Sequence, residues 1–420
     1  MSGLNIAPAI VEIEFVISSQ TSNFVLNDAT KGVLNNTTFR LGGATWTDVT
    51  EYAYTTTIQR GKNQALARYN AGTLSVVLDN ETAIFDPTIP AGTSGYPYAG
   101  QIIPGKRVRV TVGTEVQFLG VIQDWDLDYP IDGRATAALR AADAFVQLAN
   151  RTLNAATFSS ALSSTMLTAV LDQPEVAFDT AYRDIQTGIT TLQTTTVTLG
   201  TNALTFAQLI ESSEPGALFV SKDGFLTFRS RRYNPTYAGA IIITDDGTSI
   251  TPRMIEVEYG SELLYNRATI TRTGGTTQVA NDADSQATYG IFSYDQSGLL
   301  MNSDAIALSM AQYYANTFGE PIFRPRRVQL NMAAQTGSNQ GLLQALDIDD
   351  LVLIKFTPPG GLLVERYMVV SGISHRVGPG KHEIDLDLID AQDQGMIYGT
   401  AAQAPEDQPL SLLDSNRYGF

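Results

Sequence analysis

The stretch Thr45–Pro87 reads TWTDVTEYAYTTTIQRGKNQALARYNAGTLSVVLDNETAIFDP. A Thr- and Tyr-rich run enters a charged excursion, a second run follows, and Phe85-Asp86-Pro87 stops it. β-branched and aromatic residues favour strands, and the Asp-Pro stop favours a turn. In TLSVVLD, Leu74, Val76 and Leu78 fall on one face, the period-2 pattern of a half-buried strand. The same alternation recurs outward on both sides. Val11, Ile13 and Phe15 alternate with Glu12 and Glu14, and Val108, Val110 and Val112 stand opposite Arg107 and Arg109. Gly113-Thr114 fits a two-residue hairpin turn, and DWDLDY sends Trp125, Leu127 and Tyr129 inward with Asp124, Asp126 and Asp128 outward.

Residues 1–148 are therefore expected to form an N-terminal tube-like β-barrel closing in a short Ala-rich helix. Residues 149–250 change character and read as a small α+β unit. Phe158, Leu162, Met166 and Val170 have helical spacing, and GALFVSKDGFLTFRSR reads as a hairpin turning at Asp223-Gly224. In 251–400 the strand pattern returns, and a second tube-like barrel is expected there. It carries one helix near 303–318, with Ser303 as N-cap and Gly319 at the end. Residues 401–420 read as a Pro-containing linker and a docking tail bearing Leu410, Leu412, Leu413 and Tyr418. LRAADA (139–144) and LDLIDA (386–391) align without a gap, which suggests that the two β regions are related. The fold class expected is mainly β (α+β), with two tube-like barrels flanking a small mixed domain.

Composition restricts the function. The 420 residues carry 27 Lys+Arg against 43 Asp+Glu, a net charge of −16, which opposes tight binding to a phosphate backbone. There is no Cys, so disulfides and thiolate metal sites are excluded. No apolar run approaches the ~18–20 residues of a bilayer span, and the N-terminus lacks the pattern of a secretory signal. His375 and His382, the two histidines, flank the Gly378-Pro379-Gly380 turn, where a hairpin could bring them close enough to share a metal; with no third ligand indicated, they read as ordinary surface residues. Phosphate-loop, dinucleotide and G-x-S-x-G signatures are absent, so no cofactor, metal or catalytic residue is assigned.

The charged residues suggest surfaces instead. Asp124, Asp126 and Asp128, with Glu383, Asp385 and Asp387 in HEIDLDLID, occupy comparable places in the two β regions and suggest a shared acidic face. Arg229, Arg231 and Arg232, with Arg324, Arg326 and Arg327, form the basic clusters. In an acidic chain these are expected to meet carboxylates of a neighbouring subunit.

The opening stretch, continued by GYPYAGQIIPGKRVRV and FLGVIQDWDLDY, resembles the N-terminal barrel of minor tail proteins (baseplate or tail-tip hubs) of long non-contractile-tailed bacteriophages. The residues that carry the resemblance are Trp46, Asp48, Val49, Thr50, Arg60, Gly61, Arg68, Ala71, Gly72, Leu78, Asp79, Asn80, Phe85, Asp86, Pro87, Pro104, Val108, Arg109 and Val110. The 216–231 hairpin resembles that family's G-x-x-Y-x-x-x-D-G hairpin, with Phe219 where Tyr is commoner. IEVEYGSELLYNRATITRTGG resembles a further segment, with Ala268 and Ile270 at Val positions. The resemblance implies a structural virion protein at the distal end of the tail, not an enzyme. It implies a homotrimer whose barrels form a ring against the distal tail protein or tail tube, with the tape-measure protein and tip or receptor-binding proteins as neighbours. DNA would pass through without specific binding, and the acidic face would line the channel. The alternative reading is a phage-borne carbohydrate-binding adhesin, with Tyr96, Tyr98 and Tyr129 as an aromatic platform.

Overall fold

The computed structural model describes residues 8–15, 45–231 and 240–391. Its main feature is one thirteen-stranded sheet. The strands of its first half are β1 (Ala9–Phe15), β2 (Thr45–Asp48), β3 (Ala53–Gly61), β4 (Asn70–Asp79), β5 (Arg107–Val112), β6 (Glu115–Asp128) and β7 (Thr136–Ala142). Those of its second half are β8 (Ile241–Thr244), β9 (Met254–Glu258), β10 (Arg324–Asn331), β11 (Leu351–Phe356), β12 (Val364–Gly378) and β13 (Lys381–Asp390). The order is β9-β10-β13-β12-β3-β4-β7-β6-β5-β1-β2, with β11 added to β12 and β8 to β11.

The alternation in the sequence explains each half. Leu74, Val76, Leu78, Val108, Val110, Phe118, Ile122 and Leu139 point to a first apolar core and are almost fully buried. Val328, Leu330, Val352, Ile354, Val370, Ile384 and Leu386 fill a second one. Among the described residues no strand pairing closes either half into a ring. Where two separate barrels were expected, there are two cores on one continuous sheet.

The join has a clear physical basis. β12 is fifteen residues long, and its two ends have different neighbours on one side. Val364–Val369 pair with β11, whereas Gly372–Val377 pair with β3. Gly61 lies opposite Gly372 at that seam. Gly61 holds φ +97°, and a Cβ there would stand 2.2 Å from the Ser371 carbonyl oxygen, so only glycine permits the approach.

A mixed unit follows β7. Phe145, Leu148, Leu167, Val170, Phe206, Ile210, Leu218 and Phe228 form its core. The predicted hairpin is present as Ala217–Val220 and Leu226–Arg229. The helix in this unit is shorter than its spacing suggested. It spans Ser163–Leu171, while Phe158 belongs to a short strand, Ala156–Phe158. β8, read from sequence within 149–250, lies in the large sheet.

A further small unit lies in the chain between β9 and β10. Strand Arg267–Arg272 pairs with Gln278–Asn281 and Ser293–Leu299, away from the large sheet. Helix Asp304–Thr317 packs on it through Ala307, Met310, Ala311 and Tyr314. Ser303 caps that helix as expected, its hydroxyl accepting from the Ile306 N–H at 3.4 Å.

Candidate interaction surfaces and the polar seam

Asp124, Asp126 and Asp128 project from β6 and are exposed. Trp125 and Leu127, between them, pack toward the first core. Asp126 meets Arg140 Nη2 at 2.7 Å, but both side chains are about half exposed, so this pair adds little stability. The first acidic stripe is thus largely uncompensated.

The second stripe differs, and the expectation of a shared acidic face is corrected there. Glu383 Oε1 is 3.0 Å from Arg253 Nη1, and its Oε2 is 3.1 Å from Lys381 Nζ. Asp385 pairs with Arg376 at 2.8 Å and Asp387 with Arg327 at 2.8 Å. These residues alternate on the outer face of β10, β13 and β12, where cross-strand neighbours of opposite charge attract. The hydrogen bond from Lys381 holds the Glu383 carboxyl below its ordinary value. The stripe is a charge ladder.

The arginines expected to reach a neighbouring subunit are engaged within the chain. Arg324 faces Glu258 at 3.7 Å and Arg326 faces Glu256 at 3.5 Å. Arg229 meets Asp184 at 2.6 Å and Asp349 at 3.5 Å, and Arg231 lies over the Tyr313 ring. For Arg229, Arg324, Arg326 and Arg327 the carboxylates assigned to a neighbour are supplied by this chain. Arg232, Leu410, Leu412, Leu413 and Tyr418 lie outside the described residues. The aromatic platform does not form as expected either. Tyr98 is buried and stacked on Phe15 and Phe85, while Tyr129 is exposed and donates its hydroxyl proton to Asp86.

A buried polar seam separates the two cores, and sequence reasoning missed it. Arg60, from β3, donates from Nη1 to Asp347 Oδ1 at 2.7 Å. Asp347 Oδ2 accepts the Lys222 backbone N–H at 2.8 Å. Lys222 Nζ reaches Glu115 at 3.2 Å and the carbonyls of Gln344 and Ala345 at 2.9 and 2.7 Å. One knot therefore ties the first half-sheet, the mixed unit and the second half-sheet. Burial pushes the Asp349 carboxyl up to about 7 and Asp350 to about 6. It also pushes Asp143 to about 7, although Asp143 accepts backbone N–H groups of Gly72 and Phe145.

His375 and His382 belong to the same seam, and the reading of them as surface residues is corrected. They are 2% and 1% exposed. His375 Nδ1 and His382 Nε2 are 3.1 Å apart, so one imidazole donates and the other accepts. The signal in the sequence was their phase: His375 shares the inward face of β12 with Ile373, and His382 that of β13 with Ile384. Burial lowers both toward the neutral form, His382 to about 4. His382 also lines a cleft of about 310 Å³ with Tyr54, Thr56 and Gly378–Lys381.

No protein-family model matches this chain, and no curated protein matches it. Solved structures do. The 43 kDa tail protein of prophage MuSo2 from Shewanella oneidensis superposes with a TM-score of 0.57 at 14% identity, over 84% of this chain and 96% of that one. The fold is that of phage tail proteins. A tail protein from Neisseria meningitidis MC58 gives a TM-score of 0.57 at 9% identity, over 92% of this chain and 98% of that one. The likeness spans nearly the whole of each chain. It is a likeness of architecture, and no residue role follows from it.

Proposed function

We propose that the chain is a structural protein of a phage tail: a tail-tip (baseplate) hub of a long non-contractile tail, located at the distal end of the virion. Its copies form a trimer that joins the tail tube or distal tail protein to the tip or receptor-binding proteins, meets the tape-measure protein, and encloses the DNA exit channel. The observation that carries this reading is the single sheet with two cores. A chain with two sheet halves can contribute two wall segments, so three copies supply six. The tail-protein architecture supports the same role. The net charge of −16 fits a surface that DNA passes without binding. On this reading the exposed Asp124, Asp126 and Asp128 face the channel and repel the duplex.

Light scattering on the full chain tests the assembly. Three times the 45.3 kDa chain mass is the expected result. If the chain stays monomeric even when mixed with tail tubes, and a label on it does not appear at the tail tip by electron microscopy, the hub reading is wrong.

A further inference from the structure

A second cleft, of about 220 Å³, lies where the first half-sheet meets the mixed unit. Arg107 from β5, Gly120, Gln147, Phe178, Asp179 and Tyr182 line it. The Arg107 guanidinium lies near two aromatic rings, 5.6 Å from the Trp46 centroid, which Arg109 also approaches, and 5.5 Å from that of Tyr182. Its Nη2 donates to the Tyr182 hydroxyl at 3.0 Å. Among the described residues it forms no ion pair, although carboxylates outnumber cations in this chain. Arg109, two residues on, shows the contrast, since it is paired with Glu12. The Tyr182 hydrogen bond and the ring contacts orient the guanidinium, and its remaining N–H groups are available to a planar anion.

Asp179 sharpens the assignment. It lines the same cleft without pairing with Arg107, and one of its oxygens already accepts the Ala181 N–H at 2.9 Å. The other oxygen is an acceptor for a ligand donor. A carboxylate at this place disfavours phosphate or sulfate, which bring only negative charge and few donors. A neutral sugar, conversely, leaves Arg107 without a counter-charge. We propose that this cleft binds a sugar acid, a single ring that offers its carboxylate to Arg107 and its hydroxyls to Asp179 and Gln147. The volume suits one ring, being below the ~300–1,000 Å³ of sites for larger ligands. This inference is independent of the tail-tip reading.

Ligand-observed NMR on the full chain tests it, with glucuronic acid, glucose, acetate and glycine as probes. Glucuronic acid is expected to bind at about 1 mM, the range open to so small a ligand. Glucose and acetate should each bind about tenfold more weakly or worse, because each lacks one half of the contact set. R107Q should abolish binding, and R107K should weaken it by keeping charge without the planar fork. D179N keeps a good N-cap residue and should weaken glucuronic acid while leaving acetate unchanged. If R107Q does not fold, R107K and D179N carry the test. The proposal falls if glucuronic acid does not bind, if these variants leave its affinity unchanged, or if acetate or glycine binds as tightly.

Discussion

The buried histidine pair makes a prediction that can be worked through from the structure. His382 is an imidazole whose affinity for a proton falls from an ordinary value of 6.5 to about 4 because burial disfavours its charged form. His375 is lowered too, by burial first, then by His382 and by the cations Arg60 and Lys222. The unfolded chain binds these protons more tightly than the folded one. Stability is therefore complete above about pH 6.5 and is lost as pH falls toward 4. At about 1.4 kcal/mol per tenfold change in proton affinity, His382 alone accounts for roughly 3 kcal/mol. Buried carboxylates act in the opposite sense. Asp143, Glu211 and Asp349 are raised to about 7, so they favour the folded state increasingly as pH falls from 7 toward their unfolded values. The wild-type profile mixes both trends, and the histidine contribution has to be isolated.

Isotope labelling of histidine isolates it, because the chain has only two. Their imidazole signals should remain those of neutral rings from neutral pH down to about pH 5, with H382Q assigning the pair. Hydrogen exchange at the β3–β12 amides supplies the energetic reading. Between about pH 7.5 and 4, the protection of wild type should fall relative to H382Q by roughly 3 kcal/mol. Two ordinary titrations near 6.5, or a difference between the proteins that does not change with pH, would refute the reasoning.

Three further expectations follow from the same geometry. Gly61→Ala should destabilise by about 3 kcal/mol or more, since it adds a left-handed penalty of ~1–2 kcal/mol to a clash with the Ser371 carbonyl. Gly247→Ala, where φ is +77° but space is open, should cost only about 1 kcal/mol, and equal melting shifts for the two would contradict the seam argument. Arg60→Leu should cost about 3–5 kcal/mol by stranding Asp347, with part recovered in R60L/D347N, and a double-mutant cycle by denaturant unfolding measures the coupling. Replacing Asp124, Asp126 and Asp128 by Asn should slow genome ejection from assembled tails at low salt and have little effect at ~1 M salt, where charges are screened within ~3 Å.

The local grammar of the fold was legible. Alternation in β4, β5 and β6, the Asp223-Gly224 hairpin, and the Ser303 cap are written in contiguous residues, and they stand in the structure. What lay outside the sequence pattern is pairing at long range. Periodicity says which face of a strand is apolar and nothing about which strand lies beside it. Arg60 and Asp347 are 287 residues apart, and no local signal links them. The fate of the two acidic stripes shows the same limit. DWDLDY and HEIDLDLID have the same alternation, yet the second stripe has arginines across from it and the first, among the described residues, has only Arg140. Neighbouring strands, not the stripes themselves, decide whether an outward Asp is free.

That difference bears on how such a chain would serve as a channel wall. A net charge of −16 spread evenly would repel DNA everywhere and would also drive the sheet halves and the copies apart. The ladder on β10, β12 and β13 pairs the charges of that outer face, where Arg253, Arg327 and Arg376 balance Glu383, Asp385 and Asp387. The exposed aspartates of β6 keep theirs. In the proposed trimer, faces with unpaired and with paired carboxylates would then alternate around the ring. On that reading the exposed β6 stripe supplies unpaired negative charge toward DNA. The paired face of β10, β13 and β12 would present a lower like-charge barrier to packing against a neighbour. The polar seam fits this division, because it fixes the two halves to one another through Arg60, Asp347 and Lys222 without relying on a shared apolar core.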